Sequence, residues 1–286
     1  MKSPEFSGDF FYFMKKIRAT YTIINILSLD VAAGAVICAS FFARLLNVVI
    51  LQQGLISLGL TVWIIYTADH LLDAKKLKQD ASTERHRFHQ QHFKSLLLML
   101  IVAVLIDVTQ IYFIRSMVFL AGLGLAFFVG IYFLVQQRIG FLKELLGTLL
   151  YTGGVLLIPL SVNNQLSSSI ILLILQFGIT AWINLLLFSW IDKQRDEKDK
   201  HHSFATTFGL IVTQRVLLFL FAVVAVLTII QLVMFSFNMI ATSIPAFMTM
   251  FLLLIFLKRD YFEKEDRYRL LGDAVFLLPI IYLILK

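Results

Sequence analysis

Residues 61–76 read TVWIIYTADHLLDAKK, an apolar run that passes through Asp69-x-x-x-Asp73 and ends in lysines. Residues 185–200, LLLFSWIDKQRDEKDK, repeat the arrangement with Asp192-x-x-x-Asp196. Each aspartate pair closes an uncharged stretch long enough to cross a hydrocarbon core of ~30 Å, which takes about 20 helical residues. Working outward, the same alternation of apolar runs and polar connectors predicts nine membrane-spanning helices. They fall at about 20–43, 47–68, 95–114, 116–135, 142–162, 168–190, 210–234, 238–257 and 269–285. The composition agrees: of 286 residues 59% are hydrophobic and 15% charged, with a mean hydropathy of +0.85. Soluble proteins carry roughly 25% charged residues, so a water-soluble enzyme is excluded. The expected fold is an all-α bundle of nine transmembrane helices, one domain over 1–286.

The net charge of +7 raises the question of a nucleic-acid partner until its distribution is read. With the N-terminus in the cytoplasm, 22 of the 25 Lys and Arg residues fall on the inner side, leaving Arg44, Arg115 and Lys286 outside. That asymmetry is the positive-inside pattern of a multi-pass protein of the plasma membrane, taken here as a bacterial inner membrane. The charge therefore marks orientation, and no nucleic acid or protein partner is indicated. The N-terminal MKSPEFSGDFFYFMKKIR lacks a small-residue cleavage site and reads as an interfacial lead-in. Phe10, Phe11, Tyr12 and Phe13 would sit at headgroup level, with Lys15, Lys16 and Arg18 on the anionic surface. The only cysteine, Cys38, lies in an apolar run, so no disulfide framework or thiolate cluster is expected.

Chemistry is expected on the inner side, where connectors 69–94 and 191–209 are long and dense in charge. Residues four apart on a helix share a face with Cβ atoms about 5 to 6 Å apart, so each Asp-x-x-x-Asp points two carboxylates the same way. Like charges at that spacing repel unless a cation lies between them. Magnesium suits the position, because it prefers hard oxygen ligands and fills its remaining sites with water and phosphate oxygens. Two facing pairs would hold a diphosphate at the membrane surface.

In these features the chain resembles the UbiA superfamily of intramembrane prenyltransferases, which has nine transmembrane helices and aspartate-rich motifs after the second and sixth. Asp192 follows Asp69 by 123 residues, close to the family's spacing. KHHSFATTFG at 200–209 is similar to the family's continuation after the second motif, and YFLVQQR at 132–138 stands where the family has YPxxKR. The family's Asn and adjacent Asp of the first motif fall on Ile65 and Tyr66, and its Pro and Lys of YPxxKR on Phe133 and Gln136.

The resemblance implies Mg²⁺-dependent transfer of a prenyl group from an allylic prenyl diphosphate to a lipophilic, often aromatic, acceptor such as a quinone precursor. It assigns Asp69, Asp73, Asp192 and Asp196 to the metal. Arg138, Lys200 and His70 would bind the diphosphate, and Tyr66, Tyr132 and Tyr151 would line the substrate pocket and face its cationic carbon.

Asp30 and Asp107 are read as lying near mid-membrane, where a carboxylate costs on the order of 2.5 to 3.5 kcal/mol. They would line an acceptor pocket or make helix-helix hydrogen bonds. His86, His89 and His92, at i, i+3 and i+6, drift around their helix. That segment reads as an amphipathic cap with Phe88 and Phe93 dipping inward, and EDRYRLLGD at 265–273 carries no separable chemistry. Two other readings compete, a non-catalytic lipid-binding homologue and a small-solute transporter. Pro4, Pro159, Pro245 and Pro279 do not form the symmetric helix breaks of a transporter.

Overall fold

The computed structural model describes residues 6–76, 81–136, 140–163, 165–235 and 239–285. Among them there is no strand. In chain order the helices are α1 (Phe6–Ile26), α2 (Leu29–Leu45), α3 (Gln52–Lys76), α4 (Glu84–Gln91), α5 (Phe93–Gln110), α6 (Ser116–Val135), α7 (Lys143–Val162) and α8 (Ser168–Asp199). They continue as α9 (Phe204–Phe208), α10 (Leu210–Met234), α11 (Met239–Leu257), α12 (Arg259–Phe262), α13 (Arg267–Ala274) and α14 (Ile280–Leu285). Among the described residues eight helices are long and apolar enough to span, the last being Lys264–Leu285 as one unit. The bent pair Lys15–Ile26 and Leu29–Leu45 makes nine when taken as one span.

That bend corrects the first predicted span. Residues 20–26 belong to α1, which meets α2 at 78°. Ser28 takes a left-handed backbone conformation (φ 55°) between the two helices, which no glycine or proline in the sequence announces. The Trp63 indole N–H donates to the Leu27 carbonyl at 2.9 Å, satisfying a group that the broken helix exposes.

α8 is the centre of the bundle and packs against α7, α10 and α11, while α2 packs against α3 and α7. Just over half (56%) of the spanning window of α8 is buried, against 6% for α6. Leu173, Phe177, Ile183, Leu186 and Leu187 of α8 are fully enclosed. Phe42, Tyr151 and Phe276 ring Phe177 edge-on or stacked at 5.3 to 6.3 Å. Apolar packing alone discriminates little among helices in lipid, so interhelical hydrogen bonds set their register. Gln176 donates to Thr228 at 3.0 Å, and the Thr180 and Thr249 hydroxyls meet at 2.8 Å. Leu98, Leu105, Leu120, Phe127 and Leu134 on α5 and α6 stay exposed, a surface compatible with hydrocarbon and not with water. The protein is an integral multi-pass membrane protein.

Gly272 decides how closely the last span approaches α8. A Cβ there would lie 2.6 Å from both Asn184 Oδ1 and the Phe188 ring, so only glycine lets α13 seat against this face. The two residues that α13 then offers to the end of α8, Tyr268 and Arg269, belong to the site below.

Candidate active site

α3 and α8 continue as regular helix through both aspartate pairs, so each pair stands on one helical face as its spacing requires. The first pair meets a cation from the start of α7. Lys143 Nζ lies 3.4 Å from Asp73 Oδ2 and 3.9 Å from Asp69 Oδ2. The second pair meets cations of its own end and of α13. The Arg269 guanidinium donates to Asp192 Oδ2 at 2.5 Å and Arg195 to Asp192 Oδ1 at 3.4 Å, while the Tyr268 hydroxyl donates to the same Oδ1. Arg195 also reaches Asp266 at 2.5 Å. Asp192 is buried and multiply held, whereas Asp196 is partly exposed and makes no ion pair among the described residues.

The two pairs are linked through His201. The His201 backbone N–H donates to the Asp196 carbonyl at 2.8 Å, and His201 Nδ1 lies 3.9 Å from Asp73 Oδ2. One residue thus joins the end of α8 to the end of α3. The charges of Lys143 and Arg269 both act on Asp196, so the cations are shared across the site. The connector after α8 is fixed from beneath: Glu144 Oε1 accepts the Phe204 N–H at 2.9 Å, and Ser189 Oγ accepts the Ala205 N–H at 3.0 Å.

The other predicted residues fall as follows. His70 is buried, with neither ring nitrogen hydrogen-bonded, between Tyr66, His86 and His89. Tyr132 on α6 is buried with Asp69, Lys143 and Tyr66 as its polar neighbours. Tyr151 stands about 12 Å further along α7 than Lys143, at 1.5 Å per residue, in the aromatic core with Phe177 and Phe276. Lys200 is exposed at the left-handed C-cap of α8, outside the set of cations that touch the aspartates. Arg138 lies outside the described residues.

Three expectations are corrected, those for the depth of Asp30, for the 265–273 segment and for Phe88. Asp30 is not at mid-span: the break at Ser28 puts it in the first turn of α2, at the aspartate end of the bundle. There Asn25 donates to Asp30 at 2.6 Å and to Asp273 at 2.9 Å, and Tyr21 donates to Asp30 at 3.2 Å. Arg85 pairs with Asp273 at 3.3 Å and donates to the Asn25 side chain at 2.7 Å. This buried cluster ties α1, α2, α4 and α13 together, so the 265–273 segment does carry chemistry, in Tyr268, Arg269 and Asp273. For Asp107 the helix-helix alternative holds: it accepts from Ser57 at 2.6 Å and Thr61 at 2.8 Å on α3. In α4 the inward residues are Arg85 and His89; Phe88 stacks on His92 at 4.2 Å and does not dip inward.

Sequence reasoning missed Lys143, Arg195, Tyr268 and Arg269. The available signal was electrostatic: four converging carboxylates need counter-charge, and these cations stand at the same ends of their spans.

No family model and no curated protein sequence matches the chain. Its structure is similar to that of a UbiA homologue from Archaeoglobus fulgidus bound to DMAPP and Mg²⁺, with a TM-score of 0.62 at 14% identity over 92% of this chain and 99% of that one. It is also similar to the apo structure of a UbiA homologue from Aeropyrum pernix K1, with a TM-score of 0.63 at 14% identity over 91% and 97% of the two chains. A third likeness, at 13% identity and a TM-score of 0.56, is to a structure concerned with digeranylgeranylglyceryl phosphate synthase in membranes, over 94% of this chain and 99% of that one. Over about nine-tenths of its length the chain has the fold of the UbiA homologues.

Proposed function

We propose that the protein is a UbiA-type prenyltransferase, moving a prenyl group from an allylic diphosphate to a lipophilic acceptor. The observation that carries this reading is the meeting of two aspartate pairs, from α3 and α8, around Lys143, Arg269 and His201. The Archaeoglobus homologue's complex with DMAPP and Mg²⁺ supports it. The reaction breaks the allylic C–O bond, whose electron pair leaves with the diphosphate, and joins that carbon to an acceptor that gives up a proton.

The donor set fits Mg²⁺: four carboxylates supply hard oxygens, and Asp196 makes no ion pair among the described residues. Asp69, Asp73, Asp192 and Asp196 would hold it, and when bound it would neutralise charge on the departing diphosphate. Lys143 and Arg269 stand against the carboxylates and would meet that charge as it grows. Tyr268, Arg195 and Arg269 fix the Asp192 carboxylate in one orientation. Tyr66 and Tyr132 present aromatic faces beside the first pair, and the tail would run toward Tyr151 among the apolar helices. The 69–94 and 191–209 connectors would cap the site from the cytoplasm.

A non-catalytic lipid-binding role is the second reading, favoured by Lys143 already neutralising the first pair. One assay separates them. Purified protein given an allylic diphosphate and candidate acceptors should release pyrophosphate only with Mg²⁺, and Asp69→Ala and Asp192→Ala should each lower the rate on the order of 100-fold or more. Unchanged rates in both variants would overturn the mechanism; diphosphate binding without turnover would establish the second reading.

A further inference from the structure

We propose that His86, Asp199 and His201 form a second metal site, distinct from the aspartate cage, for a divalent transition-metal ion of the zinc class. One ligand atom from each residue lies within 4.8 Å of the other two. Two imidazole nitrogens and one carboxylate oxygen suit zinc and its neighbours and are a poor set for magnesium, which takes oxygen alone.

The three residues come from two connectors. His86 is on α4, between the spans α3 and α5; Asp199 ends α8, and His201 follows it. Their backbones and side chains are held in place without the ion. Asp199 is buried and accepts from the Ser82 N–H at 3.0 Å and the Ser82 hydroxyl at 2.7 Å. The His86 N–H donates to the Thr83 side chain that caps α4. The His86 and His201 rings stand face to face, with centroids 5.5 Å apart and planes inclined by 24°.

The imidazole environment also favours coordination. His86 Nδ1 is buried with no hydrogen-bond partner, a cost that a coordinated ion would remove. His70, with both ring nitrogens unpartnered, lies 5.7 Å from His86 ring to ring. An ion here would clip α4 to the end of α8 and so hold the two connectors against each other beside Asp73.

The test reads metal binding, so it is independent of any transferase activity. Full-length protein in detergent, stripped with chelator, is titrated with Co²⁺ followed by its visible absorption, then with Zn²⁺ in competition, in the presence of excess Mg²⁺. One tight Zn²⁺ per chain is expected, with tetrahedral Co²⁺ bands and a raised thermal midpoint. His86→Ala and His201→Ala should each weaken Zn²⁺ by at least the roughly 10- to 100-fold that even outer-sphere changes cost at such sites. Asp69→Ala and Asp192→Ala, which disable the proposed transferase site, should leave Zn²⁺ affinity within about threefold. Thermal midpoints without metal identify any variant that fails to fold, and His86→Gln then replaces His86→Ala. Absence of stoichiometric binding in the parent overturns the proposal. So does binding retained in the histidine variants, or lost in the aspartate variants alone.

Discussion

Arg85→Met tests the buried cluster that anchors α1 and α4 to the bundle. Arg85 is 7% exposed, and its Nη2 donates to the Asn25 carbonyl at 3.1 Å, the Asn25 side chain at 2.7 Å and Asp273 at 3.3 Å. Among the described residues it is the one guanidinium set against two buried carboxylates, Asp30 and Asp273, which Asn25 bridges. Methionine keeps most of the stem's volume, so packing loss is small and the charge is what changes. Breaking a buried pair from one side strands the partner and costs about 3–5 kcal/mol. The lost charge-assisted bonds are included in that figure and are not added to it. At about 2–4 °C per kcal/mol, the thermal midpoint should fall on the order of 10 °C. The assay is thermal unfolding of detergent-purified protein, with Asp273→Asn as the second arm. Removing the stranded carboxylate in the Arg85→Met background should recover part of the loss, a coupling that independent sites do not show. A midpoint within a degree of the parent, or strictly additive losses in the double variant, would refute the cluster as described.

Two further outcomes are expected. Gly272→Ala forces a methyl group against Asn184 and Phe188, so it should destabilise by about 1–3 kcal/mol and, by pushing Arg269 off Asp192, reduce pyrophosphate release more than its effect on folding explains; normal rates with normal stability would contradict the close seating of α13. Asp107→Leu should lower the thermal midpoint by a few degrees through loss of two interhelical hydrogen bonds worth about 0.6–2 kcal/mol each, while Asp107→Asn stays near the parent and neither changes turnover; a turnover defect in Asp107→Asn would place it in the site after all.

The spans were legible because length and apolarity are local properties, and so was the shared face of each aspartate pair, which follows from helical spacing alone. What lay beyond the sequence came from tertiary meeting. Lys143 and Arg269 reach their aspartates from other spans, and nothing near them in sequence distinguishes them from residues that serve only orientation. Asp30 was misplaced in depth because a serine, with no glycine or proline beside it, breaks the helix just before it. His86 and His201 lie on different connectors, so the spacing of His86, His89 and His92 along one helix does not disclose that the His86 ring stacks on His201.

The length of α8 has a consequence for how anything reaches the aspartates. Its 32 residues make a rod of about 48 Å, well beyond the ~30 Å of hydrocarbon that a span must cross. Counted from Ser168, Asp192 and Asp196 stand about 36 and 42 Å along that rod, which with Ser168 at one edge of the hydrocarbon would put them at headgroup level on the other side. An amphiphile lying in the leaflet, its chain among the acyl tails and its phosphates in the headgroup layer, is already at the height of the carboxylates. It can arrive by sliding sideways within its own monolayer, with no phosphate drawn through oil and no tail drawn through water.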